Sequence, residues 1–343
     1  MNGTEKPRRL GWGIIGAGSY VSRVATMPAI LASPFAHLVS VSTSDPAKFP
    51  EKDGHHFKVH SDPTAILQDP LIDAVYLPLP NHLHHEWILK CIDAGKDVLC
   101  EKPLEADPSN AERLFDRAEE SGRILAEAYM THYHPRHRAA LARVRSGVGG
   151  RVQMMTSSFT GTLRQSSENY RWRGSLGGGS LEDVGIYALA PIWELFGEQP
   201  DSIEMSSLME DRSGKGDPTD TYMAATMTYL DPSHNGEPRT AHLQISFVSG
   251  ERQNLCIISE NEVIEINRAC TPTNIDDRFS ITNSEGEEFY EVTEAKDPYL
   301  AMIDEVSKAM LERTEPSWDR HSSLAVSKLK SIVRGHLSSA RAE

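Results

Sequence analysis

The sequence predicts an α/β protein in two parts: a doubly wound parallel sheet, then an α/β domain whose sheet is mostly antiparallel. Three observations carry this expectation. From Leu10 to Ala128 short apolar runs alternate with helix-like segments, the rhythm of a parallel sheet with helical crossovers. From Val152 onward the apolar runs lengthen and alternate with polar residues at period two, which suits an antiparallel sheet covered on one side. A glycine-rich turn, Gly13-Ile14-Ile15-Gly16-Ala17-Gly18, stands where the first strand gives way to a helix. The length of 343 residues suits two domains. The change of rhythm puts the boundary near 128, giving domains over 1–128 and 129–343.

Leu10 to Ile15 is the first strand, and the helix after the glycine turn runs to about Leu31. Ala36 to Ser42 and Ile72 to Leu79 are the next strands. His82 to Ala94 is a helix stopped by Gly95, a C-terminal cap signal. Lys96 to Cys100 is a strand, Pro108 to Ser121 a helix followed by Gly122, and Ile124 to Ala128 a further strand. One more helix covers His137 to Ser146. The period-two stretches are Val152 to Thr160, Ser202 to Met209, Tyr222 to Tyr229, Ala241 to Val248, Asn254 to Ser259 and Val263 to Asn267. Ser213 to Asp220 and Asp231 to Pro238 read as surface loops. Pro298 to Leu311 and Ser322 to Ala340 are amphipathic helices.

Composition narrows the function classes. Thirty-five Lys and Arg stand against 49 Asp and Glu, a formal net charge of −14. That balance argues against a nucleic-acid partner, which needs a basic footprint, though a local pocket can still hold an anionic small molecule. No apolar run approaches the length of a membrane span, and none follows the basic start as a secretion signal would require. The sequon Asn2-Gly3-Thr4 is discounted for the same reason. Cys91, Cys100, Cys256 and Cys270 show no CxxC spacing and read as reduced thiols, so a cytoplasmic location is expected. The clusters His82, His84, His85 and His132, His134, His137 lack the acid or cysteine spacing of a zinc site, and no metal is expected.

The glycine turn is most of a G-x-G-x-x-G fingerprint. Gly16 permits the tight turn, and Gly18 lets the backbone approach a pyrophosphate at a helix N-terminus. Val21 takes the third glycine position. Ser19 and Tyr20 follow directly and join the expected cofactor contacts. The end of the second strand reads Thr43, Ser44, with Lys48 shortly after, and no acid stands at the strand end. Small hydroxyls with a nearby lysine favour the 2′-phosphate of NADP, with NAD as the alternative.

Further motifs make the reading specific. Pro80-Asn81-His82-Leu83-His84, then Gly95-Lys96-Asp97-Val98-Leu99-Cys100-Glu101-Lys102-Pro103, and later Gly177-Gly178-Gly179-Ser180-Leu181-Glu182-Asp183-Val184-Gly185-Ile186-Tyr187, occur in this order. Together they resemble the glucose–fructose oxidoreductase, inositol dehydrogenase and MocA (Gfo/Idh/MocA) family. The stretch Tyr133 to His137 and the C-terminal helices are also similar. The resemblance implies a Rossmann domain followed by an α/β domain with a large, open, mostly antiparallel sheet, through which a homodimer or homotetramer would form. It implies hydride transfer between a nicotinamide cofactor and a sugar or polyol. Lys102 would be the catalytic lysine, with the bond to Pro103 often cis. Glu101 would lie near the nicotinamide ribose, Leu79, Asn81 and His84 would belong to the cofactor loop, and Asp183 would orient the substrate. Tyrosine at 187, where many members carry histidine, resembles the branch with xylose dehydrogenases, dihydrodiol dehydrogenase and nucleotide-sugar 3-ketoreductases.

The residues supply a consistent chemistry. Alcohol oxidation needs a base for the O–H proton and positive charge near the developing alkoxide. Tyrosine, with an ordinary pKa near 10, becomes a workable base beside a lysine cation. Asp183 and Tyr187 are four apart and share one helix face. Blander readings stand beside these. Ser180 to Asp183 fits S-x-x-D, a helix capping box; Tyr187 fits a core tyrosine, and Lys102 a solvated turn lysine. His134 is a candidate for the substrate mouth. Trp172 could stack on a sugar and Arg173 could bond hydroxyls or a phosphate, or the loop could simply pack on the sheet. The favoured function is an NAD(P)-dependent aldose 1-dehydrogenase of xylose or glucose type, or one acting on a diol. A 3-keto-sugar or nucleotide-sugar ketoreductase is the alternative, and a non-catalytic NADP-sensing regulator is the reading from another class.

Overall fold

The computed structural model describes residues 8–49, 57–197 and 199–339. The sequon at Asn2 and the side chain of Lys48 lie outside them. The chain forms two compact units. The first takes the described residues up to Glu105, Ser109–Met130 and Tyr299–Ser323; the second takes Ala106–Pro108, Thr131–Pro298 and the described residues from Leu324 onward.

In the first unit β1 (Leu10–Ile15), β2 (Ala36–Ser42), β3 (Lys58–His60), β4 (Ala74–Leu77), β5 (Asp97–Glu101) and β6 (Leu125–Ala128) form one sheet in the order β3-β2-β1-β4-β5-β6. Every pairing is parallel. β1, β4, β5 and β6 are buried along their whole length, and they are apolar but for Asp97, Glu101 and Glu127. Crossover helices are α1 (Met27–Ala32), α2 (Thr64–Gln68), α3 (His84–Asp93) and α4 (Pro108–Glu120). α4 buries Ala111, Leu114, Phe115 and Ala118, the i, i+3, i+4, i+7 stripe that makes it a helix against a sheet. The chain reverses direction of winding between β1 and β4. In open sheets of this kind the crevice at such a switch, at the carboxyl ends of the strands, is the ligand position.

The sequence-based cut at 128 assigns the tail to the second part. In the fold α7 (Pro298–Glu312) returns to the first unit, where Ser307 accepts a hydrogen bond from the indole of fully buried Trp12 at 3.1 Å.

The second unit carries α5 (Pro135–Arg145), α6 (Ser180–Phe196), α8 (Arg320–Ser339) and an eight-stranded sheet. Its strands are β7 (Val152–Thr162), β8 (Ser202–Glu210), β9 (Thr219–Asp231), β10 (Glu237–Ser246), β11 (Val248–Ser259), β12 (Glu262–Asn267), β13 (Arg278–Asn283) and β14 (Glu288–Val292), in the order β14-β13-β12-β11-β7-β10-β9-β8. Only the β7–β10 pair is parallel. α6 packs on β7, β9 and β10 and is buried from Ser180 to Ile192, so it is apolar nearly all round. Among the described residues no helix is long and apolar enough to cross a membrane, and no group of His, Cys, Asp and Glu could hold a metal ion.

Candidate functional site

In the first unit, β1 ends in a turn whose geometry requires glycine. Gly16 has φ +93°, and a Cβ there would lie 2.7 Å from Leu79 Cδ2. The Gly16 and Ala17 N–H groups both donate to the Ser42 carbonyl, so the turn is tied to the end of β2. Ser19 caps the following helix, its hydroxyl oxygen accepting the Ser22 N–H at 3.2 Å. Gly18 and Tyr20 are exposed at this helix start, Tyr20 by 75%. A Cβ on Gly18 would sit 3.0 Å from Thr43 Oγ1, which keeps the backbone close to the β2 end. Thr43 is buried and its hydroxyl accepts the Asp45 N–H at 3.3 Å, while Ser44 is exposed. An exposed helix start beside a Cβ-free turn fits a dinucleotide's phosphates.

The segment from Glu101 to Glu105 is gripped on both sides of Lys102. Glu101 accepts from the Tyr76 phenol at 2.7 Å. The Leu104 N–H donates to Glu127 Oε1 at 2.9 Å, and Glu127 Oε2 accepts from the Trp318 indole at 3.2 Å. Glu105 meets His85 Nδ1 at 2.9 Å. The Lys102–Pro103 bond is cis, as the resemblance implies, and Lys102 is half-buried. His84 is buried, with Nδ1 2.9 Å from the Pro103 carbonyl and Nε2 2.9 Å from the Leu79 carbonyl. Burial lowers its pKa against the opposing pull of the two carbonyls. A neutral imidazole has one N–H and donates to one carbonyl at a time. His84 therefore braces the loop at Leu79 against the lysine turn, a support rather than an exposed contact. Leu79 and Asn81 are half-buried at the mouth of that loop.

In the second unit Asp183 and Tyr187 share one face of α6. Asp183 Oδ2 accepts from Arg171 Nε at 2.8 Å, and the Tyr187 ring lies 5.2 Å from that of Phe159. The capping box that stood as the alternative reading of Ser180 to Asp183 does not form. Gly179 is the N-cap, and Asp220 of β9 accepts from the Ser180 hydroxyl at 2.6 Å and the Leu181 N–H at 2.7 Å. Asp183 is thereby relieved of the structural role its spacing suggested. Burial raises the pKa of Asp220. Glu182 turns elsewhere, pairing with Lys330 at 2.8 Å and with Arg334. A cavity of about 480 Å³ beside Gly174, Leu181, Glu182, Asp220 and Arg334 is not lined by Asp183 or Tyr187.

Three substrate candidates change meaning. Trp172 is fully buried, its indole donating to the Arg164 carbonyl at 3.1 Å and its ring edge-on to Phe247, so it has no face for a sugar. His134 is also fully buried and caps α5 by accepting the Arg136 N–H at 3.2 Å; burial, helped by the Arg136 charge, lowers its pKa to about 4. Arg173 pairs with Asp217 at 3.4 Å. Glu127 and Tyr76 are the neighbours that sequence reasoning did not assign. Glu127 was discoverable, since a carboxylate inside the apolar strand Leu-Ala-Glu-Ala needs buried donors.

Comparison with known proteins agrees with this layout. Residues 10–129 match the family described as "Oxidoreductase family, NAD-binding Rossmann fold", and residues 137–286 match the "GFO/IDH/MocA C-terminal domain". The chain is 32% identical over 265 residues to D-xylose 1-dehydrogenase (NADP(+)) 2 of Haloferax volcanii, covering 76% of this chain and 77% of that protein. It is 39% identical over 180 residues to dTDP-3,4-didehydro-2,6-dideoxy-alpha-D-glucose 3-reductase of Actinomadura kijaniata, covering 52% of this chain and 53% of the relative. Among solved structures, KijD10, a 3-ketoreductase from Actinomadura kijaniata in complex with NADP and TDP-benzene, superposes with a TM-score of 0.83 at 27% identity, over 96% of this chain and 98% of that one. With the two family matches spanning most of its length, the chain belongs to the GFO/IDH/MocA family of NAD-binding oxidoreductases.

Proposed function

We propose that this protein is an NADP-dependent aldose dehydrogenase that oxidises the anomeric CH–OH of a xylose- or glucose-like sugar. The observation that carries the reading is the pair on α6, Tyr187 as proton carrier with Asp183 beside it as a carboxylate fixed by Arg171. In this reading Tyr187 takes the proton of the reacting hydroxyl, and Lys102 is the catalytic lysine, the kind of cation that would lower a tyrosine's pKa in such a step. Asp183 accepts a hydrogen bond from a neighbouring sugar hydroxyl. When bound, the nicotinamide supplies the hydride acceptor. Gly16, Gly18, Ser19 and Tyr20 would meet its pyrophosphate and adenosine side, Thr43, Ser44 and Lys48 the 2′-phosphate, and Leu79, Asn81 and Glu101 the nicotinamide end, with His84 as brace. The NADP preference is supported by the absence of an acid at the β2 end and by the cofactor named for the xylose dehydrogenase. The four free thiols suit a reducing compartment such as the cytoplasm.

A nucleotide-sugar 3-ketoreductase is the second reading, favoured by the 39% identity to the Actinomadura reductase. Against it, Arg171 and Arg173 already face carboxylates, which leaves less positive charge for a diphosphate. The test is to follow reduced-nicotinamide absorbance with purified protein, offering xylose, glucose and 3-keto sugars with each cofactor. Oxidation of a free aldose with NADP, lowered at least about 100-fold in Tyr187→Phe, is expected. Turnover of keto sugars alone transfers the assignment to the second reading, and no turnover with any of them sinks both.

A further inference from the structure

Three buried groups of the first unit form a hydrogen-bonded line, of which the reading above uses only Glu101. The Thr26 hydroxyl meets the Tyr76 phenol oxygen at 2.9 Å, and the phenol meets Glu101 Oε1 at 2.7 Å. Thr26 and Tyr76 are fully buried, and Glu101 is nearly so. Chemistry fixes the direction of donation. A carboxylate only accepts, so Tyr76 donates to Glu101, and the phenol oxygen accepts from Thr26. Burial, and then the Glu101 charge, push the phenol's pKa well up, so it remains a donor.

The ends of the line are the two elements that matter. Thr26 closes a wide turn, Ser22–Thr26, in the helix that opens at the glycine turn. Glu101 is the last residue of β5 and stands directly before Lys102. Tyr76 lies between them on β4, paired with Ile14 of β1 on one side and Leu99 of β5 on the other. A phenylalanine would fill the same space in Ala-Val-Tyr-Leu without placing a polar atom in the sheet. A tyrosine whose single hydroxyl is met at both sides, by these two elements, has a different use. In the low-dielectric interior such a chain is stiffer than its separate bonds.

We propose that Tyr76, held by Thr26, is a positioning residue that fixes Glu101 and through it the backbone entering Lys102, so that the glycine-turn helix and the lysine turn are set together. The inference rests on the proposed cofactor site. Its test uses the full-length protein and NADPH, read by nicotinamide fluorescence, with kcat for whichever sugar the wild type turns over. Tyr76→Phe is expected to weaken NADPH binding about tenfold and to lower kcat by a similar factor. Thr26→Val, which keeps the branched shape and removes the hydroxyl, should lose about threefold, and Thr26→Ser should restore wild-type affinity. If Tyr76→Phe does not fold, the comparison of Thr26→Val with Thr26→Ser decides alone. Affinity and kcat within about twofold of wild type in both the phenylalanine and valine variants overturn the inference and leave the proposed function standing. A serine variant as weak as the valine one also overturns it, since packing and not the hydroxyl is then what counts. Wild-type protein that binds no NADPH overturns the cofactor reading, and the inference with it.

Discussion

Glu194 lies on α6 seven residues beyond Tyr187, with its carboxylate 3.2 Å from His137, 3.7 Å from His132 and 3.6 Å from Arg145. Burial works to raise its pKa, but the hydrogen bonds and charges of His132 and His137 prevail and bring it down to about 2. A carboxylate depressed in the fold stabilises fully above its unfolded pKa, near the ordinary 4.5, and the contribution is lost as pH falls toward 2. Glu194→Gln is therefore expected to cost at most about 3 kcal/mol at pH 7, with the gap to wild type closing between about pH 4.5 and 2. Urea unfolding at neutral and acid pH measures this; an equal gap at both would remove the ionised carboxylate from the account. The residue scale is also where sequence reading fell short. Trp172 and His134 carry groups that bind sugars elsewhere, yet both are buried here, Trp172 against the distant Phe247 and His134 as the cap of α5. Lys102, Asp183 and Tyr187 were assigned because they come in ordered motifs. The donors that hold their surroundings, Tyr76 and Arg171, lie 25 and 12 residues from Glu101 and Asp183, and no local pattern marks them.

At the scale of elements, the glycine run before α6 shows how a loop is made to serve a helix. A Cβ on Gly178 would fall 2.5–2.7 Å from the carbonyl oxygens of Tyr170, Arg171 and Arg173, and none of these backbone atoms can swing aside. Only a glycine lets the loop lie on the start of α6 and so bring Arg171 to Asp183. Gly178→Ala should destabilise by about 1–3 kcal/mol and reduce kcat by at least about tenfold. Gly250→Ala, where the added methyl meets nothing within 4 Å, should change neither. An active, stable alanine variant at 178 would separate the loop from the chemistry. Elements with a strong period were legible: α4, α7 and the central strands β7, β9, β10 and β11 overlap the stretches that periodicity marks, but β10 begins at Glu237 and β11 at Val248, ahead of their apolar runs. β3, β13 and β14 were missed, since β3 has three residues and β14 is exposed or half-buried throughout, which leaves no apolar alternation to read. β9 begins at Thr219, earlier than its apolar run, because Asp220 is drawn into the sheet to cap α6.

For the whole molecule, the open question posed by the fold is what covers the second sheet opposite α6. Met155, Met223, Met227, Leu243 and Ile257 point to the helix and are fully buried. Their neighbours on the other face include Ser206, Ala224, Thr226, His242 and Gln244, rimmed by Met154, Leu208 and Leu230, which are 39–47% exposed. A sheet face of small and polar side chains with an apolar rim is suited to another copy of itself, and an interface of standard size needs about 800 Å² from each partner. We therefore propose a homodimer or homotetramer joined through this face. The net charge of −14 per chain works against association, so the assembly should tighten as salt rises over about 0.01–0.15 M, where the screening length shortens from about 30 to 8 Å. Ala224→Arg places a bulky cation at the centre of the face, paired across the sheet with Ser206 and Gln244. Light scattering on the eluting protein should show a multimer for wild type and a monomer for the variant, with the variant's unfolding transition unchanged. A monomeric wild type at every salt concentration, or a variant that remains multimeric, would place the contact on another surface or remove it.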